Sequence, residues 1–206
     1  MTNSNEQRWL DFWHRVGACG EPLPVYSNLI TLYAEKHRAY HTLAHIEHCL
    51  QELELVRLQC KDINAVEMAI WYHDAIYNPQ AKDNEEKSAE LASIAARGAG
   101  LAESFIARMT NFILATRHQA VPADPDAQVV VDIDLAILGQ PADRFDAYEK
   151  QIRREYKWVP KFLYNKGRAG ILRSFLDRTR IYSTDNFYSK YESQARENIN
   201  RSLKKL

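Results

Sequence analysis

Residues 62–77 read DINAVEMAIWYHDAIY, and this stretch decides the fold. Its apolar residues recur at helical spacing, and Asp62 or Asn64 suits the N-cap position, so we expect a buried helix. The helix carries His73 and Asp74 into an otherwise apolar end. Because burying such groups unpaired costs several kcal/mol, both need partners. Neighbouring helical residues point about 100° apart, so both reach one ion only if that ion lies at the helix edge.

Helical patterns extend on both sides of this stretch. They cover about 25–36, 41–60, 142–158, 160–180 and 184–203. One segment, VVVDIDLAILG at 129–139, leaves two interpretations open. Its β-branched run favours a strand, whereas its continuation into LAILG favours a buried helix. No repeat or linker separates domains, so we expect an all-α, single-domain helical bundle over residues 1–206.

Composition excludes several classes of protein. Hydrophobic residues make up 46% and charged residues 26%, as in an ordinary globular protein. Lys+Arg and Asp+Glu number 27 each, so no net field favours nucleic acid or an acidic membrane, and neither is expected as a partner. A local basic patch remains compatible with an anionic substrate. The three cysteines form no CxxC pair, which argues against a disulfide framework or a thiolate zinc site; Cys49 is expected to pack in the core.

The sequence also suggests a location. No stretch approaches about 18 consecutive apolar residues, so no transmembrane helix is expected. The N-terminal MTNSNEQRWLDFW lacks a basic region followed by a long apolar run, so no signal peptide is expected. The sequence therefore predicts a cytoplasmic protein.

Histidines cluster before the His73-Asp74 pair. His41, His45 and His48 are spaced by four and three residues, which on one helix places them on the same side. Imidazoles so arranged can converge on one metal, or divide between ligand and proton donor. The alternative is a set of surface histidines on a polar helix face.

Three motifs in order resemble a known family. RAYHTLAHIEHCL (38–50), WYHDAIY (71–77) and DIDLAILG (132–139) together resemble the H…HD…D pattern of the HD superfamily of metal-dependent phosphohydrolases. The similarity is greatest to a bacterial branch of predicted phosphohydrolases and extends from about residue 38 to 182. It implies an HD-type helical domain, with a metal-site core at about 38–140 and a helical C-terminal extension at 141–206.

The resemblance also implies roles for individual residues. The implied metal ligands are His45, His73, Asp74 and Asp134. Asp134 is favoured over Asp132 because it directly precedes the hydrophobic stretch; Asp132 is then a partner of the ligands or a helix cap. His41 is implied as the general acid, and Asp74 as a group that orients or deprotonates water.

The implied activity is hydrolysis of a phosphoester by metal-activated water, with nucleotides among the candidate substrates. The cofactor is a divalent ion (Mn²⁺, Zn²⁺, Fe²⁺ or Mg²⁺), although two histidines argue against a site built only for Mg²⁺. The candidate substrate-binding residues are Arg38, Arg117, His118 and Glu85. Asn84 and Glu85 border the pocket or cap a helix, and the sequence leaves the oligomeric state open.

Two other interpretations compete with this one. VVVDIDLAI also fits the strand and DxD motif of haloacid-dehalogenase-like phosphatases, but that interpretation requires an α/β fold and gives the histidines no role, and the flanking segments supply no other convincing strands, so we reject it. Alternatively, the chain is a non-catalytic metal- or nucleotide-binding helical module. Turnover of phosphoesters with added Mn²⁺ would distinguish this module from an enzyme.

Overall fold

A computed structural model describes residues 4–206, with side chains from Asn5 onward. Over residues 4–206 the regular structure is helical and contains no β-strand, which confirms the all-α prediction. The α-helices of this range are α1 (Ser4–Arg15), α2 (Pro22–Tyr33), α3 (Leu43–Val56), α4 (Ile63–Tyr72), α5 (Asn84–Gly98), α6 (Glu103–Ala115), α7 (Pro125–Asp134), α8 (Ala142–Glu155), α9 (Lys161–Leu176) and α10 (Asp185–Leu203). None of them is long and apolar enough to cross a membrane.

The ambiguous segment 129–139 is helical. It forms the end of α7 and then a 3₁₀ turn, Leu135–Gly139. Its β-branched residues are almost fully buried, so tertiary packing rather than strand propensity determines their conformation. Without strands in the described chain, the haloacid-dehalogenase interpretation is wrong.

The histidine-bearing helix begins later than predicted. α3 begins at Leu43, after an extended Thr42 (φ −117°, ψ 176°), and not near His41. The Thr42 amide donates to the carbonyl of Tyr40 (2.7 Å), which makes a tight turn before the helix. His41 therefore lies in this turn, and the expectation that it shares a helix face with His45 is wrong.

Contacts within the chain define two compact units, residues 1–131 and residues 132–206. The division falls inside α7. The single domain, with its core at about 38–140 and extension at 141–206, stays a prediction.

In the first unit, α4 is the central helix and packs on α3, α5 and α6. Each of its residues from Ala65 to Tyr72 is buried, including Glu67, whose carboxylate pairs with Arg8, Arg15 and Arg57. Asp62 caps its N-terminus by accepting from the Ala65 amide (3.0 Å). Asp126 accepts from the amides of Lys61 and Asp62 (2.9 and 2.8 Å), which fixes the start of α4. At the other end, α4 stops at Tyr72, and His73 is its C-cap.

In the second unit, α10 packs closely on the 3₁₀ turn that follows α7. A Cβ on Gly139 would lie 2.5 Å from the Cβ of Tyr191, so only glycine fits there. The Asn198 amide donates to the carbonyls of Leu138 (2.9 Å) and Gln140 (2.7 Å). This packing holds the residues immediately after Asp134.

Candidate metal centre

Two histidines from different helices meet inside the first unit. His45 lies on the buried side of α3, and His73 caps the C-terminus of α4. Their Nε2 atoms are 3.1 Å apart, and both rings are buried. Asp74 follows directly and brings its Oδ2 within 3.2 Å of the His73 Nε2 and 3.5 Å of the His45 Nε2. Three predicted ligands therefore converge on one point.

These distances fit a shared metal ion. Atoms separated by 3.1, 3.2 and 3.5 Å have a common point about 1.9 Å from each. Protein nitrogen and oxygen ligands bind metals such as zinc at about 2.1 Å, so these three atoms are spaced closely enough to hold one ion together. An ion held by three protein ligands would retain coordination positions for water or another ligand.

The His73 ring is held in the tautomer that a ligand needs. Its Nδ1 lies 2.9 Å from the Ile70 carbonyl, which only accepts hydrogen bonds, so Nδ1 carries the proton. In the neutral ring, Nε2 then presents a lone pair towards His45 and Asp74. A backbone carbonyl that orients a metal-binding histidine is a common supporting contact in metal sites.

The charge balance at Asp74 favours cations. Burial alone would raise the pKa of this carboxyl, but His73, His41 and His45 together hold its pKa well below the usual range. Asp74 is therefore an anion beside neutral or cationic imidazoles. An anion facing imidazole lone pairs at about 3 Å is stabilised by a proton or a metal ion between them.

Arg38 organises the backbone around this site. Its side chain is buried, and Nη1 donates to the carbonyls of His41 (3.0 Å) and Asp74 (2.7 Å). Nη2 donates to the carbonyl of Ala75 (2.8 Å), and Nε donates to the Glu35 carboxylate (3.0 Å). The guanidinium thereby ties the turn before α3 to the turn after α4. Its donors are therefore engaged by three backbone carbonyls and the Glu35 carboxylate.

His41 lies beside the cluster, in a frame of aromatic rings. Its ring stacks on Tyr77 with centroids 4.1 Å apart, and its centroid is 6.2 Å from that of His45. Tyr40 contacts both histidines, at 5.0 Å from His41 and 4.7 Å from His45. The His41 ring is half-buried.

Cys49 is a neighbour of the cluster that the sequence assigned only to the core. Its Sγ lies 3.7 Å from both Nδ1 and Nε2 of His45. An atom equally distant from both nitrogens lies beside the ring and not in front of the Nε2 lone pair. Cys49 therefore packs against the His45 ring and is poorly placed to share its metal. The four-residue spacing on one helix is the signal that would have found it.

The other histidines near the motif have different contacts. His48 Nε2 lies 3.5 Å from the Glu52 carboxylate, one turn along α3. His37 Nε2 lies 2.7 Å from the carbonyl of Tyr77, so it supports the turn that carries the ring beneath His41. The cluster described by the sequence thus separates into ligand candidates and supporting residues.

The remaining substrate-binding candidates lie in α5 and just after α6. Arg117, just beyond α6, forms an ion pair with Glu86. His118 has a positive φ of 57°, unusual for a residue other than glycine, and is half-buried. Glu85 is half-buried in the first turn of α5. Asn84 exchanges hydrogen bonds with the backbone of Asn78 (both 3.0 Å), which closes the loop after the His73-Asp74 turn.

The two candidate aspartates of α7 have different surroundings in the second unit. Asp132 is fully buried and accepts from the Ser183 amide (2.9 Å) and from the amide and hydroxyl of Thr184 (both 2.7 Å). Burial raises the pKa of Asp132, and these hydrogen bonds partly offset the rise. Asp132 thus secures the segment that begins α10. Asp134, the last residue of α7, is half-buried.

The side chains of His45, His73 and Asp74 can therefore hold a metal ion. Within the first unit, the atoms best placed for this are the Nε2 atoms of His45 and His73 and the Oδ2 of Asp74. No family model, no curated protein and no solved structure matches this chain.

Proposed function

We propose that this protein is a metal-dependent phosphohydrolase of the HD type, which cleaves a phosphoester. The observation that carries the proposal is the convergence of His45 Nε2, His73 Nε2 and Asp74 Oδ2 within 3.5 Å of one another. Two imidazoles and a carboxylate suit Mn²⁺, Zn²⁺ or Fe²⁺ better than Mg²⁺. The order of the motifs along the chain supports the same assignment.

Asp134 is proposed as a fourth ligand. Asp132 already directs its carboxylate to three donors around Ser183 and Thr184, so ligation would require breaking those hydrogen bonds. Asp134 lies two residues further along α7, about 200° around the helix axis from Asp132. It is half-buried, which suits a carboxylate that also contacts solvent. The assignment to Asp134 therefore disturbs the second unit least.

A bound divalent ion would supply an activated water and neutralise charge on the phosphoryl oxygens. Two side chains of the protein, Asp74 and His41, would then act on the water and on the leaving group. Asp74 remains an anion, because the surrounding histidines lower its pKa, and would orient the attacking water by accepting a hydrogen bond from it. His41, stacked on Tyr77, would protonate the departing oxygen. Arg38 would hold the backbone of both turns in place.

The phosphate itself needs cationic donors. The Arg38 guanidinium is occupied by three carbonyls and a carboxylate, so Arg117 and His118 are the better candidates for contact with substrate. Arg117 would have to exchange its ion pair with Glu86 for the phosphate. Because that pair is partly exposed, the exchange costs little.

The test combines elemental analysis with a panel of phosphomonoesters, phosphodiesters and nucleotides, assayed with added Mn²⁺. The test variants are His45→Ala, His73→Ala and Asp74→Asn, and the control is His14→Ala, an exposed histidine of α1. The proposal predicts about one metal per chain and turnover for wild type and control, and the loss of both in the test variants. Metal binding without turnover over the whole panel would instead favour a binding module. Wild-type protein that binds no metal would refute the site.

A further inference from the structure

Basic charge is concentrated in one segment of the second unit. Residues 150–176 contain eight basic residues and one acidic residue, whereas the whole chain has equal numbers of both. The balanced total therefore conceals a local excess. The single acid, Glu155, is buried and does not offset this charge at the surface.

Most of these cations face solvent. Arg168 is buried and bonds Glu149 and the Tyr148 hydroxyl, and Arg153 donates to the carbonyls of Tyr156 and Val159. The other basic residues of the segment are exposed. They are Lys150, Arg154, Lys157, Lys161, Lys166 and Arg173. We call these six residues, with the apolar residues described next, the α8–α9 patch.

Large apolar side chains project between these cations. Trp158, in the turn between α8 and α9, is 53% exposed, and Phe162, in the first turn of α9, is 77% exposed. Leu163 and Ile171 are also more than half exposed. The inner face of α9 already supplies the core through other residues, so these four contribute little to folding. Trp158, Phe162 and Leu163 lie close together around the turn that begins α9, whereas Ile171 lies about 180° around the helix from Phe162. Exposed apolar groups as large and as close as these three commonly mark a binding surface.

We propose that the α8–α9 patch binds peripherally to an anionic lipid surface. Trp158 and Phe162 would enter the boundary between headgroups and acyl chains, where aromatic rings are favoured. Lys157, Lys161 and Lys166 flank these rings and would contact anionic headgroups through flexible stems. Electrostatic attraction and apolar insertion would thus act together around the turn between α8 and α9.

A single-stranded nucleic acid would use the same charges, but the apolar residues favour lipid. Bases stack on aromatic or guanidinium planes, whereas Leu163 and Ile171 offer no such plane. Four of the six exposed cations are lysines, which do not stack on bases as arginine does. Aliphatic side chains beside a tryptophan are better suited to an acyl-chain boundary.

The protein carries its own reporter for this test. Trp9, Trp13 and Trp71 are at most 3% exposed, so Trp158 is the tryptophan that can respond to a change of solvent. The full-length protein is mixed with vesicles of phosphatidylcholine alone, or with about 30% phosphatidylserine, which provides a negative surface. We expect cosedimentation and a blue shift of emission with the anionic vesicles, both reduced by salt.

Two variants separate the contributions. Trp158→Ala/Phe162→Ala should weaken partition into anionic vesicles at least tenfold. Lys157→Gln/Lys161→Gln/Lys166→Gln should weaken it about a hundredfold, since each lysine near an anionic surface contributes about fivefold. The matched controls change exposed residues of the first unit, Leu58→Ala/Ile94→Ala and Lys36→Gln/Lys61→Gln/Lys82→Gln, and should bind as wild type.

Three results would overturn the proposal. The first is an absence of binding to anionic vesicles at low salt. The second is an equal loss of vesicle binding in the control variants. The third is binding of single-stranded RNA that displaces the protein from vesicles and that the Trp158→Ala/Phe162→Ala variant has lost. None of these outcomes depends on the metal site, because His73→Ala protein should bind vesicles as wild type does.

Discussion

The Nε2 atoms of His45 and His73 lie 3.1 Å apart, although the two residues are separated by 28 positions in the sequence. His45 comes from the middle of α3 and His73 from the end of α4, two helices that pack on each other. At this distance either one ring donates its N–H to the lone pair of the other, or both lone pairs bind a cation between them. Helix packing thus produces an arrangement that a cation stabilises.

Replacing His41 and replacing His45 should have different effects on metal content and on kcat. His45→Ala removes a ligand, so metal content should fall. His41→Ala should leave metal content near that of wild type but lower kcat on the best phosphoester by about 10²–10⁴-fold, the usual contribution of a general acid. Elemental analysis and steady-state kinetics on both variants check this. Loss of metal from His41→Ala would assign His41 to the metal instead.

Arg38 should contribute to stability as well as to the site. Arg38→Lys keeps the positive charge, but a single ammonium group cannot reach the three carbonyls that the planar guanidinium contacts. Buried carbonyl acceptors therefore lose their donors. We expect the free energy of unfolding to fall by about 2–3 kcal/mol in denaturant titrations. Arg117→Lys, which alters a partly exposed ion pair with Glu86, should cost less than about 1 kcal/mol. Equal losses would contradict the positioning role.

The two aspartates of α7 should separate stability from metal binding. Asp132→Ala removes the acceptor for Ser183 and Thr184, so unfolding free energy should fall by about 1–2 kcal/mol while metal content is retained. Asp134→Asn should lower metal affinity with little change in the stability of the metal-free protein. Thermal melts and metal titrations measure the two effects. The reverse pattern would exchange the roles of Asp132 and Asp134.

Gly139 should tolerate no side chain. Gly139→Ala places a Cβ against Tyr191, so we expect a loss of about 1–3 kcal/mol from overpacking. The matched control is Gly167→Ala in α9, where a Cβ meets nothing within 4 Å and should stabilise the helix by up to about 1 kcal/mol. Denaturant unfolding of both variants measures the difference. A neutral Gly139→Ala would show that the 3₁₀ turn and α10 can separate without cost.

Periodicity predicted the all-α class and most helices because tertiary packing agrees with local pattern in those segments. The apolar run of residues 62–72 forms α4, and the His73-Asp74 pair lies at its end as predicted. The segment 129–139 could not be assigned, because buried β-branched residues suit both a strand and a helix without knowledge of what covers them.

Other features depend on contacts that no local pattern contains. His41 lies outside α3 because the Arg38 guanidinium and the Thr42 turn hold the preceding backbone. In the sequence, Arg38 looks the same as an arginine that binds phosphate, because its hydrogen bonds to three carbonyls appear only in the folded structure. The side-on contact of Cys49 with His45 likewise follows from ring orientation, which sequence spacing does not specify.

The central claim is that His45, His73 and Asp74 share one cation, and X-ray absorption at the edge of the bound metal tests it most directly. The account predicts a shell of nitrogen and oxygen atoms at about 2.1 Å, scattering from two imidazoles, and no sulfur at about 2.3 Å. His14→Ala protein should give the wild-type spectrum, whereas His73→Ala protein should retain no metal to measure. A sulfur neighbour, or a wild-type spectrum without imidazole scattering, would contradict the account.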